Sequence, residues 1–284
     1  YVKLAPYTTF GIGGAARYFY EPTSEEEVIR ALEEIRDLGV PYFVLGNGSN
    51  LLVSDEGYDG AILHLDRPFG RIRREGNRVH AQSGALLAQV ARFAAREGLS
   101  GLEPMSGIPG SVGGAVTMNA GAYGGETKDV IECVRVLTKD GVREYTNAEM
   151  RFSYRHSLIT DEGGIVIEAT YLLEPDEPEA IFARIEDFAA RRNAKQPVEM
   201  KSAGSTFKRP EGHFAAKLIE DAGLKGFRYR NAGVSAKHAG FVVNYGDATA
   251  EEVLATIKMV QKIVYERFGV RLEPEMKTLG DIHV

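Results

Sequence analysis

Apolar residues first fall at helical spacing at Val28, Ile29, Leu32, Ile35 and Leu38. The segment Thr23-Ser-Glu-Glu-Glu27 opens this helix as a capping box, and Gly39 closes it. The unbroken apolar run over 41–45 then reads as a buried strand that delivers the chain into Gly46-Asn-Gly48. Short strands are predicted across 53–65, broken at Glu56-Gly57 and Asp59-Gly60. Next come a hairpin over 71–82 turning at Gly76-Asn77, and a short helix over 85–97 ended by Gly98. Strands 130–138 and 142–145 pair across Lys139-Asp-Gly141, and strand 165–173 is closed by Glu174-Pro175. Pro178 suits the first turn of a helix over 179–193 whose face is Ile181, Phe182, Ile185 and Phe188. The last region reads as a helix over 214–222, a hairpin of 232–235 with 240–245, a long helix capped by Thr249-Ala-Glu-Glu252, and a terminal strand over 270–276.

Hairpins in the middle of a strand–helix mixture make this an α+β chain and not one doubly wound sheet. The expected domains are residues 1–68, completed by the C-terminal strand 270–284; residues 69–196, an antiparallel sheet; and residues 197–269. A length of 284 residues is enough for two domains or for one large α/β unit, and 44% hydrophobic with 26% charged content fits a soluble globular protein. A net charge of −6 argues against a nucleic-acid binder, and no apolar run approaches membrane-spanning length. The N-terminus lacks a signal pattern, so a cytoplasmic location is expected, with no membrane partner. Cys133 is the only cysteine, which excludes an intrachain disulfide or a cysteine-built metal site, and it reads as a packed small hydrophobe. No Asp/Glu cluster has the spacing of a Mg²⁺ site, so no metal is expected.

Candidate chemistry concentrates in glycine. The run from Gly107 to Gly125 and the cluster Leu45-Gly-Asn-Gly-Ser-Asn-Leu-Leu52 both supply backbone that can approach a ligand closely. Their N–H groups suit an anion, and two such clusters suggest two backbone walls around one pyrophosphate. Gly11-Ile-Gly-Gly-Ala-Ala16 matches a dinucleotide fingerprint in letters. It is followed by strand-like Arg17-Tyr-Phe-Tyr20 and not by a helix, so that reading is rejected. No Gly-Lys-Ser/Thr tripeptide is present, which removes the P-loop.

Loop-borne phosphate binding of this kind resembles the FAD-binding fold of the vanillyl-alcohol-oxidase and p-cresol-methylhydroxylase type. Gly46-Asn-Gly-Ser-Asn50 contains no histidine for covalent attachment, so noncovalent FAD is expected. Seven segments in order resemble the UDP-N-acetylenolpyruvoylglucosamine reductase family: 7–14, 45–52, 107–114, 118–124, 152–157 (Phe-Ser-Tyr-Arg-His-Ser), 203–210 (Ala-Gly-Ser-Thr-Phe-Lys-Arg-Pro) and 272–275 (Leu-Glu-Pro-Glu). The interval from Arg155 to Ser205 leaves little room for the tyrosine-bearing loop of the longer members, so the chain resembles the shorter class.

The resemblance implies a reductase of an enolpyruvyl ether in peptidoglycan precursor synthesis. NADPH reduces FAD, and the flavin then gives hydride to the vinyl carbon in a ping-pong cycle. It implies that Ser205 donates the proton, Arg155 holds the carboxylate and Glu275 assists the enolate. Glu273, two residues away, competes with Glu275 on spacing alone. Cofactor contacts are expected from Gly46, Asn47, Gly48, Ser49, Asn50, Gly107, Ile108, Pro109, Gly110, Ser111, Gly113, Gly114, Asn119 and Gly121. The substrate's diphosphate calls for basic groups, with Lys217, Arg209 and His238 as candidates, and Tyr123 and Tyr154 are expected beside the sugar. A monomer is expected. The competing readings are a different FAD reductase or oxidase on the same fold and a flavin-binding electron-transfer subunit. Acceleration of NADPH oxidation by the enolpyruvyl nucleotide sugar separates them.

Overall fold

The computed structural model describes residues 1–282. The chain divides into two compact units, each discontinuous in sequence. The larger comprises Tyr20–Asn47 and Ile62–Arg192; the smaller comprises Tyr1–Phe19, Gly48–Ala61 and the chain from Asn193 onward.

The larger unit holds five helices: α1 (Glu25–Leu38), α2 (Leu87–Arg96), α3 (Val112–Thr117), α4 (Leu158–Glu162) and most of α5 (Pro178–Lys195). Its centre is a five-stranded antiparallel sheet in the order Gly141–Thr146, Ile131–Thr138, Ile165–Leu172, Arg78–Gln82, Ile72–Glu75. Register is fixed by pairs such as Val134↔Tyr145, Val134↔Ala169 and Ala169↔Ala81. The strand Ile165–Leu172 is apolar on both faces because both are covered. Ile165 and Ile167 join Val28 and Ala31 of α1, whereas Val166 and Tyr171 join Leu87 and Val90 of α2 and Val116 of α3. α1 begins at Ser24, whose side chain accepts from Glu27 N, while the Glu27 carboxylate accepts from Thr23 N. The box predicted for this helix is thus shared between two residues. Gly39 ends it at φ +64°. Burial pushes the Cys133 thiol up in pKa, as for a half-buried packing residue.

The smaller unit packs α6 (Ala215–Asp221) and α7 (Ala250–Phe268) against the sheet Lys201–Ser202, Val242–Asn244, Ala232–Val234, Arg228–Tyr229. Its core joins Leu218 and Ile219 of α6, Val253, Ile257 and Val260 of α7, and Val234 and Val242 of the sheet. Thr249 and Glu252 form the predicted capping box of α7. Asp55 adds a second cap, its carboxylate accepting from Ala250 N at 2.9 Å and Glu251 N at 3.2 Å.

Three sequence expectations change. The strand Tyr58–His64 runs unbroken through Asp59-Gly60, because Gly60 is buried and packing outweighs its propensity cost of about 0.5–1 kcal/mol. The C-terminal strand is Lys277–Leu279, parallel to Leu51–Val53, and not 270–276. Pro274 has no N–H to give a ladder, so that stretch makes only the Phe207↔Pro274 bridge and its flanking bonds. Its predicted extension reaches residues 283 and 284, which lie outside the described residues. Finally, the glycine run contains the short helix α3, capped by Ser111 Oγ and held by buried Val112, Ala115 and Val116. Among the described residues no helix is long and apolar enough to cross a membrane.

Candidate active site

In the larger unit the two glycine clusters touch. Asn47 Nδ2 donates to Pro109 O at 2.6 Å, and a Cβ on Gly46 would collide with Ser111 Oγ. Only glycine permits that approach. The amides of Asn47, Gly110 and Ser111 have no hydrogen-bond partner among the described residues. Two loops in contact that keep unspent N–H donors fit an anionic dinucleotide. Ser83, whose buried hydroxyl lacks a partner, lies under the same loop, its carbonyl accepting from Gly113 N at 2.9 Å.

The first cluster continues into the smaller unit. Gly48 has φ +58°, and a Cβ there would overlap the Tyr7 carbonyl. Asn50 Nδ2 donates to Glu275 O at 3.3 Å, and Asn50 O accepts from Lys277 N at 2.9 Å.

Arg155 sits at φ +55° in a tight turn closed by Ser153 N→His156 O at 3.1 Å and His156 N→Ser153 O at 3.2 Å. That conformation costs a non-glycine residue about 1–2 kcal/mol, so other contacts must hold it. The guanidinium lies 4.9 Å from the ring centroid of half-exposed Tyr154. Tyr123 and Gly124, at φ +52° and +86°, form the tip of the hairpin pairing Gly121–Ala122 with Gly125–Glu126. The Tyr123 ring centroid is 5.1 Å from that of Phe188 on α5. Asn119 is fully buried, and its amide is engaged by protein groups, Ser153 O and Lys128 N, each at 3.0 Å.

In the smaller unit, Ser205 and Glu275 lie on two segments that the isolated Phe207↔Pro274 bridge joins. Glu275 N donates to Thr206 O at 2.8 Å, and Lys208 N donates to Glu273 O at 2.8 Å. Thr206 is buried and tied down further, N→Gly240 O at 2.9 Å and Oγ1 accepting from Val242 N at 2.9 Å. Ser205 beside it is exposed, and its hydroxyl has no partner among the described residues. The two acidic candidates separate here: Glu273 is exposed and pairs with Lys208 Nζ at 3.2 Å, whereas Glu275 is half-buried.

The basic candidates differ in availability. Lys217 is exposed and pairs with Asp221 one turn on, at 2.5 Å. Arg209 lies 4.1 Å from the Phe214 ring centroid and lines a cleft of about 420 Å³ with Lys208, His213, Arg271 and Glu273. His238 Nδ1 accepts from Gly240 N at 3.1 Å, and burial, aided by Lys225, lowers its pKa. The ring can therefore offer a neutral Nε2–H.

The unfolded chain takes up a proton at position 238 before the folded chain does. Stability is complete above about pH 6.5 and falls as the pH drops below it. His238→Gln flattens that acid limb, which melting temperatures at about pH 7.5 and 5 would show; unchanged slopes would refute the assignment.

One residue escaped the sequence reading. Arg192, near the end of α5, is half-buried with its pKa lowered by burial, and no carboxylate pairs with it among the described residues. Its aliphatic stem would lie 3.1 Å from a Cβ on Gly107, which puts an unpaired cation beside the second glycine loop. Its only sequence signal is a basic residue at the end of an amphipathic helix, indistinguishable from the solvated Arg191. No group of three or more His, Cys, Asp or Glu side chains among the described residues could hold a metal.

An FAD binding domain model matches residues 16–146, and the UDP-N-acetylenolpyruvoylglucosamine reductase C-terminal domain model matches 196–279. The chain is 48% identical over 281 residues to the UDP-N-acetylenolpyruvoylglucosamine reductase of Caldicellulosiruptor saccharolyticus, covering 98% of this chain and 90% of that one. It is likewise 48% identical to that of Geobacillus kaustophilus over 276 residues, covering 97% and 90%. The crystal structure of the Thermus caldophilus reductase superposes with a TM-score of 0.86 at 40% identity, covering 98% of each chain.

Proposed function

We propose that this chain, which belongs to the UDP-N-acetylenolpyruvoylglucosamine reductase family of FAD-dependent oxidoreductases, converts UDP-N-acetylglucosamine-enolpyruvate to UDP-N-acetylmuramate with NADPH as reductant. Noncovalent FAD would be held by the loops Gly46–Asn50 and Gly107–Gly114, and when bound it supplies the hydride. Arg155 forks onto the substrate carboxylate and stays charged throughout. Hydride arriving at the terminal vinyl carbon leaves an enolate at the carbon beside that carboxylate, and Glu275 assists it. Ser205 then gives its hydroxyl proton to that carbon. A serine is a weak acid, but an enolate carbon is a strong enough base when the geometry is fixed.

The observation that carries this reading is the pair of segments joined by the Phe207↔Pro274 bridge in the smaller unit. Thr206 is tied down through its backbone, which accepts from Glu275 N, and through its hydroxyl, while the neighbouring Ser205 hydroxyl stays exposed. In a ping-pong cycle the two half-reactions can be watched apart. Under anaerobic conditions NADPH bleaches the flavin, and the enolpyruvyl nucleotide sugar restores its colour. A flavin that NADPH bleaches and that sugar leaves bleached would refute the assignment.

A further inference from the structure

The turn that carries Arg155 is gripped from one place. Asn119 Nδ2 donates to Ser153 O at 3.0 Å, while its Oδ1 accepts from Lys128 N at 3.0 Å. The other side of the turn is held two residues earlier, where Thr117 O accepts from Ser157 Oγ at 2.8 Å and Thr160 Oγ1 at 3.3 Å. Thr117 ends α3, and α3 starts directly after Ser111 of the second glycine loop. A six-residue helix thus links the loop expected to hold the cofactor to the turn that aims the guanidinium. Asn119 is fully buried and has φ +42°, a left-handed conformation that asparagine tolerates better than other residues with side chains.

We propose that Asn119 is a positioning residue for substrate reduction, acting through Arg155 and not by touching the cofactor. The inference rests on the reading that Arg155 binds the substrate carboxylate. Both polar atoms of the Asn119 amide are spent on protein groups, which fixes the Ser153 carbonyl at the base of a turn otherwise disfavoured at Arg155. Aspartate would keep the acceptor for Lys128 N but set a carboxylate oxygen against Ser153 O, with the Glu126 carboxylate already 3.5 Å from Nδ2. Glycine would keep the backbone conformation and lose both side-chain bonds.

The test pairs Asn119→Gly and Asn119→Asp with Arg155→Ala in the flavin-loaded enzyme, each half-reaction being followed anaerobically. Flavin bleaching by NADPH stays within about twofold of the parent, and reoxidation by the enolpyruvyl nucleotide sugar slows about 10- to 100-fold, as expected for a misplaced binding group. In the Arg155→Ala background the same changes alter reoxidation by less than about twofold, because their effect runs through the missing guanidinium. Ser157→Ala, which removes the opposite staple, shows a smaller slowing that also disappears in that background. It serves if the Asn119 variants fold poorly. Equal slowing of both half-reactions, flavin lost on desalting, or full additivity with Arg155→Ala would overturn the proposal. Parent-rate reoxidation by Arg155→Ala alone would instead strike the underlying reading, and that single variant reports it separately.

Discussion

Ser205→Ala leaves NADPH able to bleach the flavin while slowing recovery of the colour by the enolpyruvyl sugar about 10²- to 10⁴-fold, the range of a positioned proton donor. The split is expected because the backbone on either side of the hydroxyl is held by groups other than it. Thr206 donates to Gly240 O, accepts from Glu275 N, and receives Val242 N on its own hydroxyl. Removing one exposed oxygen from Ser205 disturbs none of these bonds, so stability changes by no more than about 0.5 kcal/mol. Thr206→Ala provides the contrast. It removes a buried acceptor and destabilises the unit by about 1–3 kcal/mol, the cost of leaving the Val242 N–H unsatisfied. Stopped-flow traces of the two half-reactions decide the matter, and a parallel fall in both would remove Ser205 from the chemistry.

Gly46→Val gives a folded protein that purifies with little or no yellow colour. The new side chain meets Ser111 Oγ and forces apart two loops that Asn47 Nδ2 and Pro109 O hold together at 2.6 Å. Overpacking of this kind costs about 1–3 kcal/mol, which is roughly one to two orders of magnitude in flavin affinity. Absorbance near the flavin maximum per mole of protein after gel filtration measures it. Ser111→Gly in the same chain removes the clashing hydroxyl and restores part of the binding. Full colour in Gly46→Val would refute the assignment of these loops to the cofactor.

The elements most legible in the sequence are those whose signal is local. The cap at Thr249, the glycine stop at Gly39 and the turn at Gly76-Asn77 each act within a few residues, and each predicts its element. What sequence periodicity misses depends on partners far along the chain. Gly60 stays in a strand because burial decides, and α3 forms within a glycine run because Val112 and Val116 are covered by the sheet. Pro274 displaces the last strand to Lys277–Leu279, where the ladder can resume against Leu51–Val53. The candidate site divides in the same way. Motif content names Ser205, Arg155 and Glu275 and alone favours Glu275 over Glu273, whereas their difference in exposure and the Lys208–Glu273 pair appear only in the fold. Arg192 and the saturated amide of Asn119 become visible only once the chain is folded.

Glu275 takes its place through Asn50 on one side and Thr206 on the other, so three stretches separated by most of the chain converge there. Cleavage of the backbone between positions 50 and 206 therefore leaves the Glu275 backbone both of its anchors only while the two fragments stay associated.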